Sequence, residues 1–242
     1  MCLPHSDHSV THTVHTGRHA GCSGASSAVQ VGHPLLRRAR WAKRLHARLL
    51  AKGNASYERA IAARKRALFG ALRGTVVEIG AGPGANLEHF DRGVRYVAVE
   101  PNPFSHDYLR ERIHALAIDA ELHVGAAERL PLADESANAV VCSLVLCTVN
   151  DVAATLAEVK RVLMPGGLFA FIEHVAAPDG SGTRALQRAF RAPWKLIGDG
   201  CRLDRDTGGA ISSAGFSSVE IARWDAPLPA ILRPHISGLA VR

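Results

Sequence analysis

The sequence predicts an α/β fold in which a mostly parallel, seven-stranded sheet lies between two layers of helices. From Thr75 onward, short β-branched runs alternate with runs of helical periodicity. That alternation is typical of parallel strands joined by crossover helices. Near the C-terminus, two strand-like runs are joined only by the Pro-rich loop DAPLPAILRPH (225–235). So short a joint indicates an antiparallel pair at the sheet edge.

The individual elements follow from β-branched runs, helical spacing and breaker residues. Strands are predicted at 75–79, 94–99, 120–124, 138–144, 168–174, 218–224 and 236–241. Helices are predicted at about 85–90, 105–118 and 151–163, the last with Asp151 near its N-cap. The region 178–215 is expected to hold helical pieces broken by Pro178, Gly180, Pro193 and Gly198.

The N-terminal third differs from this body in composition. Residues 1–33 are rich in His and Ser and poor in large apolar groups, which predicts a disordered tail. Residues 34–52 have the spacing of a basic amphipathic helix, and a second helix is predicted from Ser56 to Leu72. Such helices can pack on the domain as a lid or lie on an anionic membrane surface, and both interpretations remain open.

Charge and cysteine usage limit the partners and the compartment. Residues 34–73 carry a net charge of +11 and residues 74–242 carry −4, so the basic character belongs to one segment and does not indicate a nucleic-acid partner. The five cysteines are an odd number without regular spacing, which favours a reducing, cytoplasmic compartment. Cys142 and Cys147 have no partner pair for a metal, so none is expected. The sequence shows no signal peptide and no apolar run long enough to span a membrane.

The stretch VEIGAGPGAN (77–86) predicts a ligand site. A glycine loop between a strand and a helix exposes backbone N–H groups to a polar ligand. Glu100 ends the next strand, where a carboxylate can accept both ribose hydroxyls. A Rossmann-like sheet that binds a nucleoside is therefore predicted. The loop also fits the dinucleotide fingerprint, because Ala85 satisfies its last position.

The position of Glu78 separates the two possible cofactors. It precedes Gly80 by two residues and lies at the strand end that faces the ligand. A carboxylate there attracts a ligand that carries an ammonium and a sulfonium, and it would repel a pyrophosphate. The sequence therefore favours a sulfonium cofactor over a nicotinamide.

Four segments in series carry a family resemblance: VEIGAGPGAN, VAVEPN (97–102), GAAERLPLADESANAVVCSLVLC (125–147) and VKRVLMPGG (159–167). In order and spacing they resemble the motifs of class I S-adenosylmethionine-dependent methyltransferases with a type 11 methyltransferase domain. The resemblance implies a seven-stranded sheet with the last strand antiparallel, which agrees with the predicted pair at the sheet edge. SLVLCTV, FIEHVA, PWKLIGDGC and RPHISGLAV make the chain most similar to the methyltransferase-like seven group of thiol S-methyltransferases and its bacterial relatives. Ala126 departs from the Asp that many class I enzymes have there. The mammalian members also carry an N-terminal apolar anchor where this chain has the basic helix.

The resemblance implies the cofactor site residue by residue. The loop positions would approach the methionine and ribose, Glu100 would hold the ribose, and the later positions would border the adenine and the methyl-transfer chamber. The residues concerned are Glu78, Gly80, Ala81, Gly82, Gly84, Asn86, Glu100, Pro101, Asn102, Ala127, Glu128, Ser143 and Leu144. The cofactor implied is S-adenosylmethionine, with S-adenosylhomocysteine as product and no metal.

Four residues are candidates for catalysis: His174, Asp199, Cys201 and His235. A base or a cation beside a thiol acceptor favours the nucleophilic thiolate. Each residue also has a purely structural interpretation, as a capped turn, a buried thiol or a hydrogen-bonded histidine. The predicted function is methylation of a small apolar nucleophile, with a thiol favoured. A lipid or quinone acceptor at a membrane surface and a non-catalytic cofactor-binding scaffold are the alternatives.

Overall fold

The computed structural model describes residues 11–14, 34–53 and 55–242. Apart from Thr11–Val14, the tail predicted at 1–33 lies outside the described residues. The strands are β1 Thr11–Val14, β2 Thr75–Ile79, β3 Arg95–Val99, β4 Ala120–His123, β5 Ala137–Ser143, β6 Leu163–His174, β7 Ser218–Asp225 and β8 Pro234–Val241. The α-helices are α1 Pro34–Gly53, α2 Ala55–Phe69, α3 His106–Leu116, α4 Val152–Val162, α5 Gly182–Ile197 and α6 Thr207–Ser212.

The described strands form one sheet in the order β1-β4-β3-β2-β5-β6-β8-β7. Neighbouring strands from β4 to β6 are parallel, and β8 is antiparallel to both β6 and β7. All seven predicted strands are present, which confirms the α/β fold with a mostly parallel sheet and an antiparallel last strand. Strand β1 was not predicted, and it pairs antiparallel with β4 at the far edge. The predicted hairpin forms, but only β7 lies at the edge because β8 is inserted beside β6.

Side chains alternate between the two faces of the sheet, and each face is covered by helices. Val77 and Ile79 of β2 belong to one hydrophobic core, whereas Val76 belongs to a second core on the other face. Both cores contain fully buried side chains, such as Phe169 in the first and Tyr96 in the second. Two apolar cores separated by one sheet give the predicted three-layer sandwich.

Two helical predictions differ from the structure. The helix expected at about 85–90 is a single 3₁₀ turn, Leu87–His89. The break expected at Pro193 does not occur, because α5 continues through that residue. Proline cannot donate to the carbonyl of Ala189, but both residues are exposed, so water can satisfy that carbonyl. The predicted N-cap at Asp151 is confirmed, since its Oδ1 accepts from the Ala154 N–H at 3.0 Å.

The two basic helices predicted at 34–52 and 56–72 are present as α1 and α2. Helix α1 is tied to the sheet domain, because the Asn102 amide donates to the carbonyl of Lys43 at 3.1 Å. Helix α2 buries Tyr57, Ile61 and Phe69 against the domain. No helix in the described part of the chain combines the length and apolarity needed to cross a bilayer.

Candidate functional site

A cavity of about 620 Å³ opens at the carboxyl ends of the central parallel strands. Strand β2 is flanked by β3 on one side and by β5 on the other. The order in which successive strands are added to the sheet therefore reverses at β2. In open α/β sheets, ligands bind at such a switch point. Residues that follow β2, β3, β5 and β6 line the cavity, and residues of α1 and α2 border it.

The glycine loop after β2 forms the floor of this cavity. Gly80 and Gly82 have φ of +65° and +54°, the left-handed region that favours glycine. A Cβ at Gly80 would lie 2.5 Å from Val145 Cγ2, whereas no described heavy atom lies within 4 Å of a Cβ built on Gly82. Gly82 therefore leaves open space where a ligand can approach the backbone.

Gly84 does not fit its expected place beside the cofactor. It does not line the cavity, and a Cβ built there would lie 2.7 Å from Leu87 Cδ1 and 2.9 Å from Leu109 Cδ1. Its φ is +84°. The requirement for glycine at this position therefore comes from the turn and from core packing.

Glu78 ends β2 as a buried carboxylate at the cavity wall. Its Oε1 accepts from Asn86 Nδ2 and its Oε2 from the hydroxyl of Tyr96, both at 2.6 Å. Burial raises the pKa of Glu78 to about 7, even though the two donors and nearby Lys65 favour the ionised form. A cationic ligand would supply the positive charge that stabilises the ionised form of this buried carboxylate.

Glu100 is also buried, and it organises the neighbouring loops. Its Oε2 accepts from the Gly82 N–H at 2.8 Å, and its Oε1 accepts from the Asn102 N–H at 2.7 Å. Burial raises its pKa. Each carboxylate oxygen has a second lone pair, so both can still accept a hydroxyl of a ligand.

The other residues expected at the cofactor site also line the cavity: Ala81, Asn86, Pro101, Asn102, Ala127, Glu128, Ser143 and Leu144. Glu128 is partly engaged, because its Oε1 accepts from the Asn150 N–H at 2.8 Å. Leu144 has φ of +60°, which turns the chain away from β5.

The structure gives His174 the geometry of a proton acceptor. Its Nε2 lies 3.1 Å from the carbonyl oxygen of Ile231. Because a carbonyl only accepts, Nε2 must carry the hydrogen and Nδ1 must be unprotonated in the neutral ring. Nδ1 is buried and makes no hydrogen bond of standard geometry among the described residues, although the thiol of Cys201 lies close enough to interact with the ring. His174 lines the cavity, so a ligand could donate to Nδ1.

Cys201 lies against His174 and Cys147, and all three residues line the cavity. The neighbouring Cys147 thiol and the His174 imidazole lower the pKa of Cys201, and the indole of Trp194 adds to the effect. The pKa of Cys147 is raised by the same contact and by burial. Both are free thiols, as is the buried Cys142. Cys201 is therefore the thiol of this group most inclined to ionise.

His235 has a geometry that favours a positioning role over proton transfer. Its Nδ1 lies 3.1 Å from the carbonyl of Arg233, and its Nε2 lies 3.0 Å from the hydroxyl of Tyr57. The carbonyl requires a donor at Nδ1, so the lone pair of Nε2 accepts from Tyr57. Burial lowers the pKa of His235 to about 4. The ring is held neutral with both nitrogens engaged, and it joins β8 to α2.

Asp199 lines the cavity and contacts helix α1, an interaction that the sequence did not predict. Its Oδ2 lies 3.3 Å from Nδ1 of His46 on α1. The pKa of Asp199 is lowered by this histidine. The contact connects the loop after α5 to α1, and both residues line the cavity.

Several residues of the site were missed in the sequence: Tyr57, Lys65, Tyr96, Glu173 and Trp194. Glu173 is the most connected of them, because its Oε1 accepts from the N–H groups of Val145 and Leu146 at 2.9 and 3.0 Å. It thereby shapes the loop after β5. The only signal was a second polar residue beside His174 at the end of a strand otherwise apolar there.

No cluster of His, Cys, Asp or Glu among the described side chains has the arrangement of a metal site. The expectation that the protein needs no metal stays a prediction.

Comparisons with known proteins agree with this geometry. A family described as a methyltransferase domain matches residues 77–171. Thiol S-methyltransferase TMT1B of Homo sapiens is 37% identical over 196 residues, which span 76% of this chain and 80% of the human protein. Thiol S-methyltransferase TMT1A of Homo sapiens is 37% identical over 201 residues, or 77% of this chain and 81% of the human protein. A SAM-dependent methyltransferase from Aquifex aeolicus has a similar fold, with a TM-score of 0.56 at 15% identity over 82% of this chain and 97% of that one.

The sheet order, the glycine loop and the cavity at the switch point define the class of S-adenosylmethionine-dependent methyltransferases. The matched domain and the identity to curated relatives show that the enzyme is a member of this class. Within it, the chain belongs to the family of the thiol S-methyltransferases TMT1A and TMT1B. The nicotinamide interpretation of the glycine loop is therefore wrong, and membership in a family of methyltransferases counts against the alternative of a non-catalytic scaffold.

Proposed function

We propose that this enzyme methylates the sulfur of small apolar thiols and that His174 accepts the proton of the thiol. The observation that carries the proposal is the unpartnered Nδ1 of His174, buried at the wall of the cavity. The names of the relatives at 37% identity support a thiol as the acceptor.

The residues present fit S-adenosylmethionine. Glu78 would face the ammonium and the sulfonium, and Glu100 would accept the ribose hydroxyls. The open space before Gly82 leaves room for the ligand against the backbone. Pro101 and Asn102 would flank the adenine, with Ala127 and Glu128 at its edge. Bound S-adenosylmethionine supplies an electrophilic methyl group on a cationic sulfur.

The lining of the cavity also contains leucines that we assign to the acceptor. Leu144, Leu228 and Leu232 line it, together with His174 and Cys201. An apolar thiol held here would donate its proton to Nδ1 of His174 and remain as the nucleophilic thiolate. An ionised Cys201 beside His174 would stabilise the imidazolium that forms. The lining leucines would exclude water from the thiolate, which keeps it reactive.

We expect the enzyme to methylate alkyl and aryl thiols and to leave matched amines and alcohols unmodified. The reaction is followed by mass spectrometry of the methylated product, with S-adenosylhomocysteine release as a second readout. Each thiol is paired with the amine and the alcohol on the same carbon skeleton. No thioether product across the panel, or equal methylation of the amines, would contradict the thiol proposal.

A second candidate, a lipid or quinone acceptor at a membrane surface, is favoured by the outer face of α1. Trp41, Leu45 and Leu49 are exposed and follow one another every four residues, so they form one apolar stripe. Basic residues flank it, including the exposed Arg44 and Arg48. Apolar side chains between positive charges are typical of a helix on an anionic bilayer.

We expect the protein to co-sediment with vesicles that contain anionic phospholipid. Replacing Trp41, Leu45 and Leu49 together by Ser should lower the bound fraction about tenfold or more, because the apolar contact is lost. Met164→Ser, at an exposed site at the start of β6, is the matched control. If the triple variant sediments like the wild type, α1 does not contact the membrane. Methylation of a vesicle-borne quinol, but of no thiol, would favour the second candidate.

A further inference from the structure

Lys65 of α2 is a buried lysine at the wall of the cofactor cavity. Only 1% of its surface is exposed, and it lines the cavity together with Glu58 and Glu78. Its Nζ lies 2.5 Å from Oε2 of Glu58. Burying an ammonium costs free energy unless opposite charges or hydrogen bonds compensate for the lost water. In the sequence, Lys65 lies four residues from both Ile61 and Phe69, so it shares the helix face of these apolar residues.

The contact with Glu58 does not use all the hydrogen-bond donors of the Lys65 ammonium group. An ammonium group has three protons to donate, and the described residues provide one acceptor for them, Oε2 of Glu58. Glu78 is close enough for the charge of Lys65 to favour its ionised form. With Glu78 ionised, these three side chains together carry one negative charge. A ligand that brings two positive charges and one negative charge, as S-adenosylmethionine does, would complement this cluster.

We propose that Lys65 and Glu78 form a subsite for the free amino-acid group of the cofactor, in which Lys65 binds the α-carboxylate and Glu78 faces the ammonium. This inference rests on the assignment of S-adenosylmethionine as the cofactor, but not on the identity of the acceptor. Helix α2 then belongs to the cofactor site rather than to a detached lid. The subsite selects ligands that retain the carboxylate, because the carboxylate accepts from the ammonium protons that Glu58 leaves free.

The experiment compares cofactor ligands with and without the carboxylate. Dissociation constants for S-adenosylmethionine, S-adenosylhomocysteine and decarboxylated S-adenosylmethionine are measured by calorimetry on the wild type and on Lys65→Met. Methionine keeps the length and apolar stem of lysine but not its charge. We expect Lys65→Met to weaken the two carboxylate ligands by about tenfold or more, the range of a charged hydrogen bond. Binding of the decarboxylated ligand should change less than about threefold.

Two further variants keep the test informative. Arg66→Met changes the next residue, which is exposed, and should leave all three dissociation constants unchanged. Lys65→Arg retains the charge and should recover part of the affinity for S-adenosylhomocysteine. If Lys65→Met weakens all three ligands equally, or none of them, Lys65 only anchors α2 through Glu58 and the subsite is refuted. Because no acceptor is present, failure of the thiol proposal would leave these results unaffected.

Discussion

Replacing Glu78 by Gln is expected to weaken binding of S-adenosylmethionine about a hundredfold at pH 7.5, or about 2–3 kcal/mol. The substitution removes the buried negative charge that faces the cationic end of the ligand and keeps the size of the side chain. S-adenosylhomocysteine lacks the sulfonium, so its affinity should fall less. Calorimetry with both ligands measures the difference.

The folded state should tolerate Glu78→Gln. Burial of the carboxylate is unfavourable, as its pKa of about 7 shows. The amide oxygen of the new Gln can accept from Asn86 or from Tyr96. Oδ1 of Asn86 has no partner among the described residues, so the Asn86 amide can rotate to accept from Gln. Thermal unfolding of the ligand-free variant should therefore match the wild type, and a large loss of stability would show that binding was lost through misfolding.

The same carboxylate predicts the pH dependence of binding. The ionised form of Glu78 binds the cationic ligand, and its pKa in the free protein is about 7. As pH falls from 7.5 to 5.5, the wild type should lose affinity, approaching about tenfold per pH unit below the pKa. Glu78→Gln has no proton to gain at this position, so its affinity should be nearly constant over that range. An equally steep decline in the variant would assign the titration to another group.

The sequence predicts a functional residue when the strand that carries it can be recognised from neighbouring residues. Glu78 and Glu100 could be identified because each lies at the carboxyl end of a recognisable strand, and parallel strands bring these ends to one edge of the sheet. His174 was found in the same way. Most strands are short and apolar, and some are rich in β-branched residues, such as TVVEI in β2. Their bounds were predicted to within a few residues, except that β6 begins at Leu163.

The sequence could not identify contacts made by docking of distant elements. Tyr57 and His235 are separated by 178 positions, and no feature of the sequence around either residue indicates that the two are hydrogen-bonded. Lys65 lies four residues from both Ile61 and Phe69, so its spacing places it on the buried face of α2, but only the packing of α2 on the domain brings it to the cavity. Gly84 shows a different limit, because a glycine required by packing and one required by a ligand look the same in a sequence.

Replacing His174 by Gln is expected to lower kcat/KM for an alkyl thiol about a hundred- to a thousandfold at pH 7, the usual contribution of a general base. Gln retains an N–H that can donate to Ile231 and lacks the basic lone pair of Nδ1. The dissociation constant of S-adenosylhomocysteine should stay within about threefold, since a lost neutral hydrogen bond of this kind costs little. Initial rates of thioether formation and calorimetry provide the two measurements.

The acidity of the acceptor separates a base from a residue that only maintains the shape of the cavity. A thiol with a pKa near 8.5 needs help to ionise at pH 7, whereas an acidic aryl thiol is already a thiolate. The deficit of His174→Gln should therefore be large for alkyl thiols, small for acidic aryl thiols, and should shrink as pH rises towards 9. His235→Gln is the comparison, because Nε2 of that ring already accepts from Tyr57 and its loss should affect all thiols alike. If the deficit of His174→Gln is the same for alkyl and aryl thiols, the imidazole shapes the cavity and the proton leaves by another route.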